Sequence, residues 1–264
     1  MNVSIGSKDR RWGFGIGDTL DGLWAIAGLK EIGVSPKYFT PHPQWAKLGH
    51  DNVEHVDKLP ATAIFLCDYG RELAQKEVRI ESYCNAAKVA PQRPKIKIKR
   101  FGVVAGEYVV LAPYTAWDSR QWPISHWIYL ESLIREKTGK KTVVVDATAR
   151  IVPLFSGFCL YGQAPGVLSN IFLDAACVVA NDSMAAHLGG LLEVKTIAIH
   201  AALPASALFK YYPSVRSIMP TPGSCQSCFF QHENGYRAGC DYGCHSLAGI
   251  APSMVLEEII CCLK

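Results

Sequence analysis

Between residues 173 and 200 the chain reads LDAACVVANDSMAAHLGGLLEVKTIAIH, and its apolar and polar positions change period three times. A β-branched run, Cys177 to Ala180, gives way to the polar turn Asn181, Asp182, Ser183 and Met184. A helical stretch with His187 near its start follows, and then a second apolar run, Thr196 to Ile199. Strand, turn, helix, strand is the unit of an open parallel sheet. Ligands of such sheets sit beyond the carboxyl ends of the strands, where the free N–H groups of the next helix attract anions. Asp182 and Ser183 fall at that point.

The same alternation runs through the whole chain. Residues 1 to 5 are strand-like, and from Thr19 apolar residues recur at helical spacing until Ile32, with Gly33 as a stop. Tyr38 to Thr40 and Ala63 to Cys67 predict two further strands, the second ending at Asp68, and helical sequence then extends to about Ala87. Two prolines and the basic run Lys95, Lys97, Lys99 and Arg100 mark 87–102 as a linker. Beyond it lie a predicted strand from Tyr108 to Ala112, a helix from Ser125 to Thr138, a strand from Lys141 to Val145 ending on Asp146, and a last helix from Ser253 to Leu263. Strands and helices alternating in both halves predict an α/β protein of two Rossmann-like domains, 1–98 and 99–264, facing a cleft.

Composition narrows the class. At 264 residues the chain can bury a full core, and 49% hydrophobic with 19% charged residues is the balance of a globular protein. No apolar run reaches the roughly 20 residues needed to span a bilayer, and the first residues lack a signal peptide's apolar core, so a cytoplasmic protein is expected. A formal charge of +4 does not call for a nucleic-acid partner, and the basic run reads equally as a solvated face.

Of ten cysteines, Cys225, Cys228, Cys240 and Cys244 fall close together as C-x2-C-x11-C-x3-C, near His232 and His245. Two pairs of thiolates on short loops suit a tetrahedral structural zinc or iron. Free or disulfide-bonded thiols are the other reading. A site closed by four cysteines would pin a loop and leave no position for chemistry. Cys67, Cys84, Cys159 and Cys177 lie in apolar segments and read as small core residues.

Four stretches in order carry a resemblance: GIGDTLDGLWAIAGLKEI from Gly15, APYTAWDSRQWPISHW at 112–127, AACVVANDSMAAHLGGLLEVKTIAI from Ala175, and the paired cysteines ahead of GIAPSMVLEEI. Together they resemble the heptosyltransferases, enzymes that add ADP-activated heptose to bacterial lipopolysaccharide. The resemblance implies a GT-B architecture, with the acceptor bound mainly by the N-terminal domain and the nucleoside-diphosphate sugar by the C-terminal one. It also implies inverting transfer without a catalytic metal.

Such chemistry needs a carboxylate to take the acceptor hydroxyl's proton, and cations or N–H groups to hold the departing diphosphate. Asp18 matches the family's base, with Asp21 one turn on as a second candidate; a plain helix cap is the other reading of Asp18. Thr115 and Arg120 match phosphate-holding positions, where the family usually has Lys. Asp182, Ser183, Met184 and His187 would face the donor, although an Asp-Ser pair also caps helices and His187 also reads as a core histidine. Asp146 at its strand end would contact ribose or base. Met184 stands where Gly is usual, Trp24 where Pro is common, and His200-Ala201 where an aromatic-Gly pair is usual.

The expected activity is therefore sugar transfer from a nucleoside-diphosphate sugar to a hydroxyl of a glycan, lipid or protein. Two alternatives stay open: the same transfer onto a hydroxylated base in DNA, and a non-enzymatic zinc-containing nucleic-acid-binding protein.

Overall fold

The computed structural model describes residues 1–5, 15–58, 60, 62–66, 78–102, 105–116, 120–146, 154–221 and 244–264, the Asp146 side chain excepted. The chain divides into two compact units, one formed by Met1–Lys99 with Ser206–Tyr211 and the other by Arg100–Ala205 with Tyr212–Lys264.

The first unit is built on β1 (Asn2–Ser4), β2 (Lys37–Thr40), β3 (Val53–His55) and β4 (Ile64–Phe65), all parallel in the order β3-β2-β1-β4. Helix α1 (Ile16–Glu31) connects β1 to β2 and is buried along nearly its whole length from Thr19 to Leu29. A helix buried on most of its faces belongs inside a layer, and α1 packs against both α2 (Pro43–Ala46) and α3 (Arg79–Ala86). It begins three residues ahead of the expected Thr19, because Gly15, with extended backbone, can act as N-cap and admit Ile16 and Gly17 to the first turn. It ends where Gly33 takes a φ of 79°, a left-handed conformation that a side chain would resist.

The second unit carries six parallel strands: β5 (Tyr108–Ala112), β6 (Lys141–Asp146), β7 (Phe158–Tyr161), β8 (Cys177–Asn181), β9 (Thr196–Ile199) and β10 (Val215–Ile218). Their order is β10-β9-β8-β5-β6-β7. The connections are α4 (Ile124–Thr138), α5 (Pro165–Asp174), α6 (Met184–Leu191) and α7 (Ala205–Phe209), and the chain closes with α8 (His245–Ala248) and α9 (Pro252–Leu263). Most of α7 belongs by its contacts to the first unit.

Alternation along each strand divides the side chains between two buried faces. Val109, Leu111, Cys177, Val179, Ile197 and Ile199 join one core with Trp127, Leu130 and Ile134 of α4 and Val255 and Ile259 of α9. Val110, Val178 and Ala198, one position along, are equally inaccessible on the other face.

Strands β3, β7 and β10 and helix α5 are not apparent in the hydrophobic pattern, and all three strands lie at sheet edges. An edge strand has a neighbour on one side only, so it need not be a continuous apolar run. VEH and VRSI mix charge with apolar residues, and Phe158 and Tyr161 of β7 are 68% and 57% exposed. Among the described residues, no helix is long and apolar enough to cross a membrane.

Candidate active site

In each sheet the first strand of the unit lies inside, with later strands added on both sides. In the second unit the sequence order 3-2-1-4-5-6 turns back between β5 and β8, the position at which dinucleotide-binding sheets open a crevice for their ligand. The loops leaving β5 and β8 carry Thr115, Arg120, Asp182 and Ser183. The topology therefore puts on neighbouring loops residues that lie 62 to 68 positions apart in sequence.

Asn181, the last residue of β8, ties the two loops together. Its fully buried side chain accepts a bond from the Trp122 N–H at 3.2 Å and donates to the Pro113 carbonyl at 2.6 Å. Trp122 is anchored again by its indole N–H on the Ile250 carbonyl, 3.0 Å away, and packs edge-on against Trp127. The segment between Pro113 and Trp122 is thus pinned at both ends, with Thr115 and Arg120 inside it.

Arg120 and Asp182 meet as an ion pair, Nη1 to Oδ2 at 3.7 Å, and the Asp182 side chain is only 3% exposed. This pairing gives the Asp182 carboxylate a guanidinium partner from the neighbouring loop, a relation the sequence did not reveal. Thr115 is 6% exposed and its hydroxyl has no hydrogen-bond partner among the described residues. A buried hydroxyl without a partner costs free energy until a ligand supplies one.

Ser183 is the N-cap of α6, its hydroxyl accepting from the Ala185 N–H at 3.4 Å. Met184 opens the helix and is partly buried, while His187 is 2% exposed and stacks edge-on against Tyr212 at 5.9 Å. Nearby His200, at the end of β9, is held by the Leu203 carbonyl; burial drives its imidazole below the ordinary 6.5, against the pull of the Asp182 carboxylate. Asp146 ends β6 on the other side of β5, as its strand pattern implied.

In the first unit the order 3-2-1-4 turns back between β1 and β4, and α1 and α3 follow those strands. Asp18 is the third residue of α1, where a carboxylate is favoured by the unpaired N–H groups of the helix start. Its Oδ2 accepts the Gly15 N–H at 2.9 Å, and its Oδ1 accepts the Tyr83 hydroxyl at 2.9 Å and lies 3.4 Å from Arg79 Nη1. The capping role is therefore real, yet 21% of the side chain remains exposed. Asp21 has no exposed surface and is paired with Arg79 Nε at 2.7 Å. Arg79 and Tyr83 carry no motif of their own; four residues apart on a helix, they show only as a shared face.

Cys225, Cys228 and Cys240 lie outside the described residues. Cys244 is buried at the start of α8 and joins the core of the second unit. Among the described residues no group of three or more His, Cys, Asp or Glu is placed to hold a metal. Cys84 and Cys177 are core residues as expected, their thiols pushed up to about 12 by burial, and Cys159 is partly buried. Cys67 is outside the described residues.

Neither a protein-family model nor a curated protein sequence matches the chain. Solved structures do. The iron-containing dodecameric glycosyltransferase TibC of enterotoxigenic E. coli superposes with a TM-score of 0.75 at 14% identity, over 98% of this chain and 75% of TibC. The E. coli heptosyltransferase WaaC with ADP-2-deoxy-2-fluoro heptose gives 0.63 at 14% identity, over 98% of this chain and 99% of its own. A family 9 glycosyl transferase from Veillonella parvula gives 0.68 at 13% identity, over 99% and 97%. The chain has the fold of these glycosyltransferases. Each of the two units carries a parallel sheet with helices, as in GT-B-like glycosyltransferases.

Proposed function

We propose that the protein transfers a sugar from a nucleoside-diphosphate sugar to a hydroxyl acceptor with inversion at the anomeric carbon. The observation that carries this reading is the second unit's switch point, where a buried hydroxyl without a partner among the described residues, an ion-paired arginine and a helix start lie on neighbouring loops of a glycosyltransferase fold. TibC has been solved with ADP-D-β-D-heptose and WaaC with ADP, which supports a nucleotide-sugar donor here.

In this mechanism Thr115 donates its hydroxyl to the donor diphosphate. Arg120, already oriented by Asp182, offers its guanidinium to the same oxygens; Arg holds phosphate in a planar fork where Lys would act as a point charge. The N–H groups at the start of α6 that Ser183 does not cap add positive potential. The acceptor oxygen forms its bond to the anomeric carbon as the bond to the diphosphate breaks, and the acceptor's proton passes to Asp18. Charge builds on the leaving diphosphate, so these groups bind the transition state more tightly than the ground state. Asp146 is assigned to the ribose or base.

Cys225, Cys228, Cys240 and Cys244 are proposed to hold a structural zinc or iron. The donor set suits it, Cys244 is already fixed in the core at the head of α8, and TibC is iron-containing. The metal would supply folding energy to residues 225–244. Cys225→Ser should lower bound metal and melting temperature together, read by elemental analysis and calorimetry; metal content equal to wild type would remove the cluster.

The decisive experiment screens melting temperature against nucleoside diphosphates and their sugars, since a ligand that binds only the folded state raises it. A rise with one nucleotide sugar is expected. With that donor, Asp18→Asn should bind as wild type while transfer falls about 10²–10⁴-fold. Turnover undiminished in that variant would exclude Asp18 as base.

A further inference from the structure

Two pairs of residues, each a helical turn apart, face one another across the contact between α1 and α3. Asp18 and Asp21 share one side of α1; Arg79 and Tyr83 share one side of α3. The pairing between them is unequal. Arg79 puts its Nε 2.7 Å from the fully buried Asp21, and reaches Asp18 only through Nη1 at 3.4 Å. Tyr83, with no exposed surface, gives its hydroxyl to Asp18 Oδ1 at 2.9 Å.

A cation between a buried and a partly exposed carboxylate pairs chiefly with one of them, and the shorter distance says which. Asp21 is the carboxylate that fixes Arg79. With the guanidinium paired to Asp21 through Nε, its Nη1 lies beside Asp18. The Asp18 carboxylate is then held at both oxygens: Oδ1 by Tyr83 and Arg79, and Oδ2 by the Gly15 N–H at 2.9 Å. Each carboxylate oxygen has two acceptor positions. Both of those on Oδ1 are taken; one on Oδ2 is not taken by these donors.

We infer that Arg79 and Tyr83 are positioning residues for Asp18, turning its carboxylate so that Oδ2 is the oxygen presented to an acceptor hydroxyl. This inference rests on the proposed role of Asp18 as base. The clamp does the work that a second residue does in any oriented acid–base pair: it fixes which lone pair meets the proton, and a fixed geometry is worth more to a proton transfer than raw basicity.

The test is steady-state kinetics of the intact protein with the nucleotide sugar that raises its melting temperature, read as kcat against KM. Tyr83→Phe removes one donor and leaves the ring in place, so kcat should fall about 10–100-fold while KM for the donor stays at the wild-type value. Arg79→Lys keeps the cation that buried Asp21 requires and should lower kcat less, again with KM unchanged. A wild-type kcat in folded Tyr83→Phe overturns the clamp. Undiminished turnover in Asp18→Asn would instead sink the base assignment, and the clamp's purpose with it.

Discussion

At the scale of single residues, the two candidate site groups differ in how their polar atoms are satisfied. Asp18 is surrounded by donors, whereas Thr115 is enclosed and its hydroxyl has none among the described residues. That contrast gives a sharp expectation for Thr115→Val. Removing an unpaired buried hydroxyl while keeping the shape is neutral or mildly stabilising for the unliganded protein. The same change should reduce the melting-temperature rise produced by a nucleoside diphosphate. If calorimetry shows the ligand response intact, Thr115 does not hold phosphate. Asp18, Thr115, Arg120, Asp182 and Ser183 were all legible in the sequence from their motif positions. Asn181, Arg79 and Tyr83 were not assigned roles, because a hydrogen bond across 59 or 65 positions leaves no local spacing to read.

Among elements, α6 is the one whose packing controls a site. It sits on β8 and β9 by its small residues: a methyl on Gly189 would come 2.2 Å from Thr196 Oγ1, and one on Gly190 2.5 Å from Tyr212 Cγ. Close approach here requires glycine, since the Tyr212 ring and the Thr196 side chain leave no room for a methyl. Gly190→Ala should therefore cost about 1–3 kcal/mol by forcing Tyr212 off its seat against His187. A denaturant midpoint equal to wild type would show that the ring can move. A second element-level device is Glu131 of α4, 3% exposed, which accepts from Thr142, from the Ser156 N–H and hydroxyl, and from the Gly157 N–H. One buried carboxylate with that many donors fixes the entry to edge strand β7, whose end residues Phe158 and Tyr161 are largely in solvent.

Across the whole molecule, stability should depend on pH through its buried histidines. His200 and His50 are both pushed below the ordinary 6.5, in each case chiefly by burial. A histidine that stays neutral when folded takes up its proton on unfolding, so the unfolded state binds more protons below that value. Their contribution is thus complete above about pH 6.5 and is lost as pH falls below it. Melting temperature should decline from pH 7 to pH 5, and His200→Gln should flatten part of the slope. A slope identical in that variant would assign the loss to other groups.

The sequence by itself determined the α/β class, the interior strands and the helices with clear periodicity, because burial on both faces writes itself as unbroken apolar runs such as YVVLA and CVVAN. It also marked the residues that a helix start or a strand end makes special, Asp18, Asp146, Asp182 and Ser183 among them. Tertiary structure alone decided the edge strands, whose single neighbour imposes no such run, and the order β10-β9-β8-β5-β6-β7. It alone brought Arg120 to Asp182 and Arg79 to Asp21. Strand order is a choice among arrangements with similar local energies; burial and long-range hydrogen bonds select one of them, and the partners of each polar group follow from that selection.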